Sequence, residues 1–485
     1  MPCPRPRAAG LALALSALSV SAAAEPIEPR VAVATSDTLQ GRCDAIDLAP
    51  PWTVLQNLEP LGVRSRLRYF YDRLYAINPS QDDIQVIDPA TFGTLRTLRL
   101  DPGSSPEDIL VVSPRRAYVT LYNATAVAIL DPTNGAPRGS IDLSGFADGD
   151  GLPEMSMMAR DGDRLFIQIQ RIDRGLTGAP VRPSWLAVVD LPTETLLDVD
   201  PDQPGVQGVL LTGTAPSFRM HVDTRARRLF VSAPGSRLDT SGGIEEIDLD
   251  ALQSRGFILS EETAGADLGG FVMVSPDAGY VVAHTDIVAS SHLSSFTRAQ
   301  GQGPQILMDF GAIDTLALDA AGAQLFFPDP FSLPYGVHVI DTVSDQVLTK
   351  TPLATGLPPW DLAVVRRTTP GEPRDLRVEG IDPAGGALAL TYRPACGASD
   401  HNLVFGPLQD VGTYAYTGQV CGVGSSGRVD AFDPGAGSFF FLLVGTGDAG
   451  DEGSYGADGD GVERPENLVD QGCAFTQDLS FACQD

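Results

Sequence analysis

Short apolar stretches separated by polar turns recur along most of the chain. The stretch "RRAYVTLYNATAVAILDPTNG" (Arg115 to Gly135) reads as strand, turn, strand, turn. The same grammar returns in "LRYFYDRLYAINPSQDDIQVIDPATFGTL" from Leu67, "PEMSMMARDGDRLFIQIQ" from Pro153, and "PSFRMHVDTRARRLFVSAPG" from Pro216. It returns again in "GGFVMVSPDAGYVVAHTD" from Gly269 and "IDTLALDAAGAQLFFPDP" from Ile313. In each unit a first apolar strand ends in a polar turn. A second strand carries an aromatic near its start: Tyr75, Tyr118, Phe166, Phe230, Tyr280 or Phe326. A third strand ends in Asp at Asp88, Asp131, Asp190, Asp248 and Asp341, where a carboxylate can accept from nearby backbone N–H groups and set the turn. Four antiparallel strands repeated at intervals of tens of residues predict a ring of β-propeller blades, because one blade alone cannot bury both faces.

The closest copy, "RRAYVTLYNATAVAILDPTNG", resembles the YVTN-type repeat of bacterial exported and surface-layer β-propellers: R-x-Y-V-T, a loop, then V-x-I-L-D-x-T-x-G. The resemblance implies a propeller over 25–367, usually of seven blades. Six unit starts are visible, and "PPWDLAVVRR" (Pro358 to Arg367) offers the first strand of a seventh. The N-terminal "RVAVATSD" (Arg30 to Asp37) would complete that blade and close the ring. Six blades with a loose N-terminal arm is the alternative.

After a Pro- and Gly-containing linker (368–374), the segments "DLRVEGID", "ALALTYRPAC", "HNLVFGPL", "TYAYTGQVC" and "SFFFLLVGTG" predict a small β-sandwich over 375–485. With its ending "GSYGADGDGVERP", this region is similar to the fibronectin type III-like domains appended to bacterial exported proteins. The resemblance implies a spacer or adhesive role. The expected fold is therefore all-β throughout.

Residues 1–24 read as a signal peptide. Arg5 and Arg7 precede the apolar "AAGLALALSALSV", and "SAAAEP" offers a cleavage site after Ala24. With no cysteine after the small residues, cleavage rather than lipid anchoring is expected. Cleavage removes two arginines and no acid, taking the net charge from -29 to -31. That surface disfavours nucleic acid and anionic lipid and can concentrate cations. No later apolar run reads as a membrane span, so the expectation is a secreted, periplasmic or cell-surface protein without an integral segment after cleavage. Four of the cysteines left after cleavage, Cys396, Cys421, Cys473 and Cys483, fall in the last quarter. In an exported chain they predict disulfides, Cys396 with Cys421 and Cys473 with Cys483, leaving Cys43 unpaired.

Candidate chemistry is sparse. Asp148–Asp150 and Asp458–Asp460, each in a D-G-D-G turn, are candidate calcium loops or plain acidic turns. Neither has the third acid or closing Glu of an EF-hand. The five histidines form no HxH or HExxH pattern, and G-x-S-x-G, Walker and dinucleotide fingerprints are absent. Asp108, Glu154, Arg219, Asp314 and Asp361 occupy similar places at blade starts and are expected to ring the channel mouth. They would either hold a cation or cationic ligand there, or pair with neighbouring blades. Propellers host both binders and enzymes. The pattern favours an exported, non-catalytic binding or scaffold protein whose partner is a protein, glycan or small molecule. The alternative is a calcium-assisted, lactonase-like hydrolase or a lyase.

Overall fold

The computed structural model describes residues 27–174, 179–236, 240–285, 291–298, 305–310, 314–319, 322–367, 369–381, 387–447, 451–457, 463–467, 473, 475–477 and 479. Residues 1–24, Asp458, Asp460 and Cys483 lie outside them. The regular structure among the described residues is almost all strand, with one four-residue α-helix at Glu261–Ala264 and short 3-10 turns at Ser144–Phe146 and Leu408–Thr413. No helix among the described residues is long and apolar enough to cross a membrane.

Seven antiparallel sheets of four or five strands follow one another among the described residues between Arg30 and Val365. The second is typical: Pro106–Ser113, Arg116–Leu121, Ala126–Leu130 and Pro137–Asp142, each paired with the next. The seventh unites the two ends of this region. Arg30–Ser36 pairs with Pro359–Val365 in the register Val31↔Val364 and Val33↔Leu362. It is the closure expected from the sequence, and it removes two open strand edges.

The turn aspartates work as the repeat predicts. Asp88 accepts from Ala90 N–H, Asp131 from Thr133, and Asp190 from Thr193. Asp248 holds Asp250 and Ala251, and Asp341 holds Val343 and Ser344. The second-strand aromatics are all buried. Two of them also bind across sheets: Tyr118 Oη donates to Glu194 (2.8 Å) and Tyr280 Oη to Asp345 (2.5 Å).

The core lies between sheets. Leu110, Tyr118 and Val127 of the second sheet interlock with Met155, Leu165 and Ala187 of the third. Val31, Val33 and Ile46 of the seventh meet Phe326, Val337 and Val339 of the sixth. Each sheet thus buries its apolar faces against its two neighbours.

Beyond the ring, Arg374–Ile381, Leu388–Arg393 and Arg428–Phe432 form one sheet, and a five-stranded sheet centres on Asp400–Pro407 and Phe439–Thr446. They pack face to face through Leu390 and Phe432 against Leu403 and Leu443. The "GSYG…ERP" ending has a clear job here. Glu463 accepts from Ser454 Oγ and from Tyr455 N–H (2.6 Å), while Arg464 donates to Tyr455 O (2.9 Å). Two turns of tail are thereby clamped together.

The disulfide expectation is corrected. Cys421 pairs with Cys473, their Cα atoms 5.6 Å apart, so neither the Cys396–Cys421 nor the Cys473–Cys483 bridge forms. Cys396 is itself disulfide-bonded, though not to Cys421. The reason is where the tail returns. Asn467 hydrogen-bonds Gln419 (2.7 Å), bringing the tail alongside Gly418–Val420 and its following Cys421. Cys396 sits instead beside the linker, its carbonyl accepting from Gly371 N–H. Cys43 keeps a free, buried thiol. Burial pushes that thiol's pKa up, with Asp44 and Glu59 adding to the effect.

Candidate functional site at the channel mouth

The first strands of most neighbouring sheets lie against one another, and the starts of several of them line one pocket. Several of these starts are irregular: the pairing register shifts between Pro106 and Asp108, Met155 and Met158, Ser217 and His221, and Leu268 and Phe271. Such bulges bend a strand and re-aim its side chains, here into a pocket of about 390 Å³. Four of the five expected channel residues, Asp108, Arg219, Asp314 and Asp361, line that pocket together.

Most of the pocket's charge is internally matched. Arg68 grips Asp108 with both ends of its guanidinium, Nε to Oδ1 at 2.6 Å and Nη2 to Oδ2 at 2.5 Å, and Asp108 also accepts from Met158 N–H. Arg219 reaches from the fourth sheet to the seventh and first. It donates to Asp361 (2.7 Å), Leu362 O (2.6 Å) and Leu67 O (2.6 Å). Arg66 pairs with Glu107. These bidentate and charge-assisted contacts make a cross-channel clasp.

Asp314 is different, because its partner is a histidine. His284 Nε2 lies 2.6 Å from Asp314 Oδ1, and His284 Nδ1 lies 2.8 Å from Ser291 Oγ. Gly270 N–H adds a longer bond to the same oxygen (3.3 Å). Space for this pair is made by Gly269 and Gly270. A Cβ on Gly269 would stand 1.7 Å from Asp314 Oδ1, and one on Gly270 would stand 1.8 Å from Asp314 O. The remaining walls mix four aromatic residues, Phe218, Phe271, Phe331 and Trp360, with small polar and aliphatic ones. Phe331 is 68% exposed, and its loop is pinned because Asp329 Oδ1 accepts from Phe331 and Ser332 N–H.

Glu154, the fifth expected channel residue, does not line the pocket. Its carboxylate is buried, and its oxygen meets those of Asp148 and Asp150 within 4.8 Å. Asp148 Oδ1 accepts from Asp150 N–H and Asp150 Oδ1 from Leu152 N–H, so the loop curls on its own backbone. Arg174 Nε stands 3.0 Å from Glu154 Oε1, close enough for an ion pair though not aligned as a hydrogen bond. The same guanidinium bonds Asn123 and Tyr122 O and stacks on the Tyr122 ring at 4.3 Å. Burial, reinforced by Asp150 and Asp148, pushes the Glu154 carboxyl up to about 7 against the pull of Ile172 N–H and Arg174. The three oxygens could face a small cation, but Arg174 already brings positive charge to them.

Sequence reading missed Arg66, Arg68, Glu107 and His284. The two arginines alternate on one strand, a period-two signal that both face the channel. Glu107 adjoins a residue already picked out. Nothing in the sequence links His284 to Asp314, whose pairing depends on the sheet.

No protein-family model and no curated protein matches the chain. Solved structures do. The periplasmic gluconolactonase of Pseudomonas aeruginosa is similar at 15% identity with a TM-score of 0.50, over 70% of this chain and 99% of that one. A protein from Lactobacillus plantarum gives 14% identity and a TM-score of 0.49 over 70% and 99%. Apo AztD from Citrobacter koseri gives 12% and 0.41 over 86% and 99%. At such identity the likeness to the Pseudomonas protein speaks to the β-propeller fold alone.

Proposed function

We propose that this is an exported, non-catalytic binding protein. Its seven sheets act as the blades of a YVTN-type propeller that takes a small ligand at the channel mouth. The C-terminal sandwich serves as a fibronectin type III-like spacer or adhesive module. The observation that carries the reading is the internal pairing of the channel's charged groups in an open pocket that also presents four aromatic residues. Arg68–Asp108, Arg219–Asp361 and Arg66–Glu107 hold sheets together, which leaves few groups for chemistry. A nucleophile would need a base beside it and access to substrate. Ser291, which touches His284, is 1% exposed and cannot meet a substrate. Export is supported by the charged, apolar and small-residue order of 1–24 and by the Cys421–Cys473 bridge, which suits an oxidising compartment.

The test is a thermal-shift screen of the mature protein against a metabolite library, run beside lactone and ester assays with and without calcium. A ligand at 100 times its Kd should stabilise by about 2.7 kcal/mol. The expected result is at least one such ligand, lost on Trp360→Ala or Phe331→Ala, with no turnover. Turnover that disappears on Asp108→Asn or Asp314→Asn would replace this reading with the lactonase-like alternative. Ligands that bind both pocket variants undiminished would move the site elsewhere.

A further inference from the structure

Resting on the binding reading above, the ligand class can be narrowed by charge and surface. We infer that the channel pocket selects a ligand carrying an organic ammonium group, seated against Asp314, with its apolar body among the aromatic rings. The charged lining residues are three arginines and four acids, and the three arginine–acid pairs leave Asp314 as the acid without an arginine partner. Its partner is a neutral-capable imidazole rather than a fixed cation. His284 cancels the Asp314 charge only when it is protonated; in the tautomer with Nε2 donating to Asp314 and Nδ1 accepting from Ser291, the imidazole orients the carboxylate and leaves its charge in place.

Asp314 is also the acid with room to act. Both hydrogen bonds to its side chain, from Gly270 N–H and with His284, fall on Oδ1, whereas Oδ2 has no hydrogen-bond partner among the described residues. The side chain is 23% exposed in a pocket it helps to line. By contrast, Asp108 is 1% exposed and saturated by Arg68 and two backbone N–H groups.

The surrounding rings suit a cation with a carbon body. Aromatic faces attract ammonium and guanidinium groups. One such contact is already built at the rim, where the exposed Arg64 guanidinium lies 4.8 Å from the Trp360 ring centre. A space of about 390 Å³ is far larger than a bare metal ion needs. The glycine pair shows that the seat is built: a side chain at Gly269 or Gly270 would occupy the place of the Asp314 carboxylate or backbone.

Three probes of closely similar shape and different charge test this: 3-phenylpropylammonium, 3-phenylpropanol and 3-phenylpropionate, titrated calorimetrically into the mature protein at pH 7 and low salt. The ammonium is expected to bind at least about tenfold more tightly than the alcohol, with the carboxylate weakest, as a charge-assisted bond predicts. Asp314→Asn should erase the ammonium-over-alcohol preference, while Phe331→Ala should weaken all three alike. Should Asp314→Asn fail to fold, the ranking on the unaltered protein still decides. Equal binding of the three probes, or tightest binding of the carboxylate, would overturn the ammonium assignment and leave the binding reading standing. Failure of all three would also overturn it, and the library screen would then judge the binding reading separately.

Discussion

Among single residues, Glu154 is one whose environment works against its charge. Its carboxyl is raised to about 7 from 4.5, mainly by burial. A raised acid holds its proton in the folded state after the unfolded state has lost it, so unfolding releases a proton between these values. Stability therefore declines as pH rises from about 4.5 through about 7 and levels off above. Glu154→Gln should abolish this slope. The variant should match the native protein near pH 4.5 and exceed it at pH 8 by about 1–3 kcal/mol, measured by urea unfolding across pH. A parallel pair of curves would show that Arg174 neutralises Glu154 fully. This residue also marks where reading by position fails. Glu154 occupies a blade start like Asp108, yet its backbone turns into the left-handed region at φ 46° and carries the side chain to the Asp148 loop instead. Strand periodicity has no way to register one reversed dihedral.

At the scale of elements, the repeat rests on its turns. Asp131 is held well below the usual carboxylate range, to about 2, chiefly by the Thr133 hydroxyl, with Arg138 and Thr133 N–H adding to it. A depressed acid contributes stability above its unfolded pKa, and that contribution is lost as pH falls through the folded value. Asp131→Ala should lower the melting temperature by a few degrees at pH 7, and the difference from the native protein should shrink toward pH 2. A shift of the same size at both pH values would mean that the turn geometry, not the ionised carboxylate, matters. These aspartates were legible in the sequence because each acts within a few residues of itself. The Tyr118–Glu194 and Tyr280–Asp345 bonds were not, although the tyrosines were picked out. Their partners lie 76 and 65 residues away, on neighbouring sheets.

For the whole molecule, closure of the ring sets stability. Val31 and Val33 are fully buried between the sixth and seventh sheets, worth about 1.5–3 kcal/mol each. Removing Arg30–Ser36 also opens the edges of Gly41–Asp47 and Pro359–Val365. The deletion should lower the melting temperature of the entire propeller, in one transition, when followed by calorimetry. Loss of a small early transition with the main one unchanged would mean that the ring holds without this strand.

What the sequence determined by itself follows from local physics. Alternating apolar residues, turn aspartates and buried aromatics specify four-stranded units, and the need to bury both faces of each unit specifies a ring. The complementary strand at Arg30 was visible because its pattern matched a gap in the last unit. The tertiary structure alone decided which charges meet. Arg219 finds Asp361 across 142 residues, His284 finds Asp314 across 30, and Cys421 finds Cys473 across 52. Those meetings depend on how far each bulged strand turns its side chain and where the tail returns. A linear pattern carries no term for either, because the energy of a charge pair depends on the distance through space that closing the ring creates.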